Sequence, residues 1–185
     1  MGTEWSISLA NMPVVSTANN FANQIYVRAG AGLSVTTGGS LTATDLITGG
    51  AEGNSNVVDI AGGGLITLSG LLNLGAGGND GKVNISNGSL LANSLSINMA
   101  GGAGMNIGAL GSFVAASSNL GNINYWIANN GITANSGAAG WSLNVDTTSQ
   151  AGKVVVTAVP EPTTLASLGM GLVLLAATRG LRKKS

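Results

Sequence analysis

The chain has 185 residues, 44% hydrophobic but only 8% charged and 4% aromatic, with 30 glycines, no cysteine and no histidine. Disulfides, thiolate metal sites, cysteine nucleophiles and the usual imidazole base are thereby excluded, so no enzyme, cofactor or metal is expected. The formal net charge of zero divides unevenly: Arg28, Lys82 and Lys153 stand against Glu4, Asp45, Glu52, Asp59, Asp80 and Asp146 in the body, whereas only bases follow Pro162. A mildly acidic body offers phosphates nothing to neutralise, and no nucleic acid is expected as partner.

This length suits one domain plus an appendage. Taken in chain order, residues 1–26 form an N-terminal segment, a cap or a truncated coil, with Trp5 to Tyr26 as the covering stretch. Its start, Met1 to Trp5, has neither the basic residues nor the apolar core of a secretory leader, so export is expected to depend on further upstream sequence.

Residues 27–158 form the body. Aliphatic pairs at alternate positions recur as Leu33/Val35, Val58/Ile60, Val83/Ile85 and Met105/Ile107, with starts 25, 25 and 22 residues apart. Each pair is followed by Gly and a further apolar residue, expected to be Leu41, Leu65, Leu90 and Phe113. A second apolar strand follows in three units, at Leu46, at Leu72 and Leu74, and at Leu95 and Ile97. Gly-rich corners separate the units at 49–54, 75–81 and 101–104, where Gly and Asn accept the positive φ of tight turns.

Alternation gives each strand one apolar side, and a single coil cannot bury it; stacking coils about 4.8 Å apart can. The fold expected is therefore all-β, a parallel β-helix (β-solenoid) of about 4 coils of 22–25 residues, followed by a C-terminal transmembrane helix. A sandwich or jelly roll is the alternative. Residues 21–107 also resemble the repeats of bacterial surface β-solenoids and autotransporter-type passenger regions, which implies shape only.

Beyond Phe113 larger side chains appear in Tyr125-Trp126-Ile127 and around Trp141, and Lys153 to Thr157 reads as a last strand. These suit a cap over the open end of the stack; a sugar platform on Trp126 or Trp141 is the competing reading. Gly78-Asn79-Asp80-Gly81 reads as a simple turn rather than a calcium-binding repeat, since the pattern is imperfect and occurs once. Thr42-Ala43-Thr44 has no expected counterpart in Ile66-Thr67-Leu68 or Leu91-Ala92-Asn93, so a regular Thr array is not expected. A lyase would need grouped carboxylates and a nearby base, which Arg28, Lys82 and Lys153, 54 and 71 residues apart, do not supply by spacing.

Residues 159–185 differ from everything before. Val159-Pro160-Glu161-Pro162 is stiff and extended, because each proline fixes its own φ and restricts the residue ahead of it. Thr163 to Leu181 forms an apolar stretch that can span a membrane as a helix with Arg179 snorkelling to the headgroups. Arg179, Arg182, Lys183 and Lys184 then mark a cytoplasmic end.

Tripeptide, Gly-bearing apolar helix and basic end, in that order, resemble the PEP-CTERM sorting signal of exported bacterial proteins. The resemblance implies recognition by a membrane-embedded exosortase at Pro160-Glu161-Pro162, processing nearby, and delivery to the envelope or surface. The function expected is a structural or interaction protein in an exopolysaccharide or biofilm setting; the alternative is a glycan-binding or polysaccharide-degrading module on the same scaffold. End-to-end stacking of coils is a third possibility.

Overall fold

The computed structural model describes residues 4–7, 13–20, 23–50 and 55–161. The first circuit of the chain holds β1 (Trp5–Ile7), β2 (Val14–Val15) and β3 (Ala18–Asn20), and the second β4 (Gln24–Val27), β5 (Gly32–Val35) and β6 (Ser40–Ala43). The third holds β7 (Asp45–Gly49), β8 (Asn56–Ile60) and β9 (Gly64–Leu68). In the fourth, β10 (Leu71–Ala76) and the long β11 (Gly81–Ala92) serve, and in the fifth β12 (Ser94–Ile97) and β13 (Gly104–Ala116). Then come α1 (Leu120–Ala128), β14 (Ile132–Ala134), β15 (Trp141–Asp146) and β16 (Lys153–Pro160).

The strands pair in parallel to make three ladders, which the chain visits in turn. Ladder one is the five-stranded sheet β1-β4-β7-β10-β12. Ladder two joins β2, β5, β8, the first half of β11, the first half of β13 and β14. Ladder three joins β3, β6, β9 and the second halves of β11 and β13. A sandwich of hairpins would instead pair chain neighbours antiparallel.

Period-two alternation sends one side of every ladder inward. In ladder two Leu33, Val58, Val83 and Met105 stand in register, as do Val35, Ile60, Ile85 and Ile107. Leu46, Leu72 and Leu95 line up in ladder one, and Leu41, Ile66, Leu90 and Phe113 in ladder three. All of these residues belong to one continuous buried core.

Three expectations are corrected. Ile66, not Leu65, is the inward residue of β9: Leu65 is 37% exposed and pairs with Ser40 and Ser89 in an outward row. The corner sets this phase, because a shift of one residue along a strand moves its side chain to the opposite face. The ladders also run one rung beyond the four read from the aliphatic pairs: β1 to β3 pair with β4 to β6 over a shorter circuit, Trp5 opposite Ile25 and Val14 opposite Ser34, which the 22–25 residue spacing passes over. The rung-to-rung register also places Thr67, not Ile66, beside Thr42, and Leu91 follows it.

The corner between ladders two and three is set by glycines. Gly64, Gly88 and Gly111 stand in register, and Gly39 accepts a hydrogen bond from Leu65 N–H one rung earlier. A Cβ on Gly39 would collide with the Val15 carbonyl oxygen, on Gly64 with that of Val35, and on Gly111 with that of Ile85. On Gly88 it would come 2.8 Å from Ile60 Cγ2. Here the chain turns so tightly against the rung below that no side chain fits.

At the far end the pattern changes. After β13, Asn119 is 6% exposed; its Nδ2 donates to the Asn93 and Ala116 carbonyls at 2.9 and 3.1 Å. Its Oδ1 accepts from Leu95 N–H at 3.4 Å. One side chain thus serves backbone groups beside β12 where a further ladder-one strand would otherwise stand. Helix α1 then buries Ile123 and Trp126, three residues apart and so on one face, against the core. Trp126 is 8% exposed, which rules it out as a sugar platform; the exposed aromatic of that helix is Tyr125, at 58%.

Ladder three ends differently again. β16 runs antiparallel to β13, with Phe113 opposite Val156 and Ala115 opposite Val154, and β15 folds back on β16 as the outer strand. Trp141, Leu143 and Val145 of β15 are partly buried against the core. Among the described residues no helix is long and apolar enough to cross a membrane. The expected spanning segment Thr163 to Leu181, with Pro162, Arg182, Lys183 and Lys184, lies outside the described residues.

Candidate functional site

Two features carry chemistry on the surface. The first is the outward row of ladder two. Ser34, Asp59, Asn84, Asn106 and Thr133 stand in register over five rungs, each flanked by inward aliphatic residues that fix its direction. Asn84 Nδ2 donates to Asp59 Oδ1 at 2.8 Å across one rung of the row, and Ser136 N–H, in the turn after β14, donates to Asn106 Oδ1 at 2.5 Å; both bonds are exposed to solvent. Beside the row lies a groove of about 170 Å³ lined by Lys82, Asn84, Asn106, Asn130 and Thr133 together with the apolar stretch from Gly102 to Met105. The groove sets amide and hydroxyl groups within a largely apolar lining, and the Lys82 ammonium is 3.3 Å from Asp80.

A second groove of about 280 Å³, more apolar, is lined by Tyr26, Arg28, Ile47, Gly49, Gly50 and Ala76. The Arg28 guanidinium lies 4.1 Å from the Tyr26 ring centre and 3.2 Å from Glu4 Oε1, so it covers the ring itself. Tyr26 OH donates to Gln24 Oε1 at 2.8 Å, and Gln24 Nε2 to Asp45 Oδ2 at 2.9 Å, fixing the row next to it.

The bases do not converge: Arg28 follows β4, Lys82 lies in β11 and Lys153 opens β16. In the Gly78 to Gly81 corner, Asp80 Oδ2 accepts from Ser55 Oγ at 2.7 Å and faces Lys82. Among the described residues no three of His, Cys, Asp and Glu gather as a metal cage.

The second feature is the exit from the fold. Val159 and Pro160 are the last residues of β16, opposite Ser142 and Trp141, and Glu161 N–H donates to the Gly140 carbonyl at 2.9 Å. That bond fixes the phase of the antiparallel pair. Gly140 and Glu161 form a hydrogen-bonded pair, so Trp141 and Pro160 fall in the next, non-hydrogen-bonded one. A proline lacks the N–H a ladder needs, and this is the position where none is asked for. The turn that sends β16 back is tied by Asp146, whose Oδ1 accepts from Thr148 N–H at 2.7 Å, Thr148 Oγ1 at 2.8 Å and Ser149 N–H at 3.1 Å. These donors, the Thr148 amide foremost, hold its carboxyl well below the ordinary carboxylate range.

The strand therefore runs without a spacer into the Pro-Glu-Pro tripeptide. Residues 158–184 match the PEP-CTERM protein-sorting motif. The chain thus carries the signal of an exosortase substrate, which supports export and sorting to the cell envelope. The PEP-CTERM match begins at Ala158, inside β16. Comparison with curated proteins and with solved structures finds no match.

What sequence reasoning missed is the junction. Nothing in Val159-Pro160-Glu161 announces strand pairing, and only the partner strand from Trp141 reveals it. The polar row had a signal, since Asn84 and Asn106 each sit between the two inward residues of a repeated aliphatic pair.

Proposed function

We propose that this is a non-catalytic exported bacterial protein: a short β-solenoid delivered by its PEP-CTERM tail to the cell envelope or surface matrix, where it meets hydroxyl-rich exopolysaccharide through the outward row of ladder two. The observation that carries the delivery half is the sorting-motif match at residues 158–184, joined directly to a folded body. Thr163 to Leu181 holds the chain in the membrane before processing, with Arg179, Arg182, Lys183 and Lys184 on the cytoplasmic side.

The contact half is supported by five polar side chains in register, spaced by the rung repeat of about 4.8 Å, beside a groove that Asn84, Asn106 and Asn130 help to line. The non-catalytic reading is supported by the separation of the three body bases, with Arg28 and Lys82 in ion pairs of 3.2 and 3.3 Å.

Expression of the full-length gene in its own cell, followed by fractionation and mass spectrometry of the terminus, tests delivery. The expected result is an envelope or surface chain that has lost residues beyond the tripeptide. A cytosolic chain with Ser185 still in place overturns it. Incubation with exopolysaccharides separates contact from catalysis: retention without new reducing or unsaturated ends supports binding, and release of ends refutes the non-catalytic reading.

A further inference from the structure

The tripeptide that the exosortase must read is already in use by the fold. β16 continues through Pro160, with Val159 opposite Ser142 and Pro160 opposite Trp141. Glu161, the central residue of the tripeptide, gives its N–H to Gly140. A partner that takes an extended segment by strand addition does so through backbone N–H and C=O groups on the edges of that segment. One edge of residues 159–161 is occupied by β15.

We propose that the β15–β16 hairpin competes with the exosortase for the tripeptide, so that the partner engages it only when Gly140 to Ser142 have come away from Val159 to Glu161. The inference rests on the exosortase reading of the tail and adds to it a dependence on the cap of the body. The end of a hairpin is where opening costs least, because few contacts lie beyond it. The cap therefore slows processing in proportion to the stability of its last pairs, and does not abolish it.

A lock and a release test this in the full-length chain, in the cell that encodes it, by following loss of the tail in a pulse–chase with mass readout. Ser142 and Val159 form a hydrogen-bonded pair, for which a Cα separation of about 5.5 Å is usual and lies within the disulfide range. The chain has no cysteine of its own. Ser142→Cys with Val159→Cys, once oxidised, is expected to slow tail loss on the order of a hundredfold, with recovery on reduction. Ser142→Pro deletes the N–H used opposite Val159 and is expected to speed it about fivefold.

Native rates in the oxidised double variant overturn the proposal. If oxidised and reduced forms are equally slow, the exosortase is reading the Val159 side chain; Ser142→Pro then decides, a faster rate supporting the competition and an unchanged one refuting it. If no chain, the unaltered one included, loses its tail, the exosortase reading itself fails and the proposal falls with it.

Discussion

The glycine corner offers a direct test of the stacked geometry. Gly111→Ala adds one methyl group whose carbon would overlap the Ile85 carbonyl oxygen. The obstacle is backbone held between two rungs, since β11 pairs with both β8 and β13, so neither side can swing away as a flexible side chain does. Overpacking costs about 1–3 kcal/mol, and a backbone neighbour places this case near the top of that range. At roughly 2–4 °C per kcal/mol for a chain of this size, the melting temperature should fall by about 6–12 °C.

Gly121→Ala is the internal control. Gly121 is exposed near the start of α1, and an added Cβ there meets nothing within 4 Å. Replacing a helical glycine by alanine stabilises by roughly 0.5–1 kcal/mol, so this variant should melt slightly higher. Thermal unfolding followed by circular dichroism reads both. If Gly111→Ala melts with the unaltered chain, or the two variants fall together, the tight corner is not what holds ladders two and three in register.

Four further expectations follow from particular contacts. Ile85→Ala, at a fully buried position, should cost about 2–5 kcal/mol, whereas Leu65→Ser on the outward row should cost little; denaturant titration separates them, and equal effects would reverse the phase assigned to β9. Asn119→Ala strips the Leu95 N–H and the Asn93 carbonyl of their partner and should cost about 1–3 kcal/mol, with faster amide exchange at Leu95 as the local signature. Asp146 has a carboxyl group held below its ordinary value, so its contribution is present above the unfolded value near about 3.9 and is lost as the pH falls below it. Amide exchange at Thr148 and Ser149 should therefore accelerate on acidification, and Asp146→Asn should flatten that dependence. Asn84→Ala and Asn106→Ala should each weaken retention on a hydroxyl-rich polysaccharide about fivefold without changing the melting curve by more than a degree or so.

Much of the stem was legible because a β-strand repeats every two residues and a stacked coil repeats at nearly fixed length. Leu33, Val58, Val83 and Met105 were identifiable as one row from spacing alone, and they pair in that register. The sorting motif was legible for a different reason: Pro160, Glu161, Pro162 and the basic end form a local pattern that needs no folding to be read.

Other features depended on which residue turns each corner. Whether Leu65 or Ile66 faces inward is decided at Gly64, where the approach to Val35 fixes the phase of β9, and neither residue's hydrophobicity distinguishes the two outcomes. Helix α1 contains Gly121, Asn122, Asn124 and two isoleucines, a sequence with weak helical preference, and it is helical because Ile123 and Trp126 cover the end of the core. The pairing of Trp141 with Pro160 joins residues brought together by the turn at Asp146. Alternation, repeat length and the sorting tail are local properties and were fixed by the sequence itself; rung phase, the helical cap and the partner strand of the tripeptide arise from contacts between distant segments, which only the tertiary structure decides.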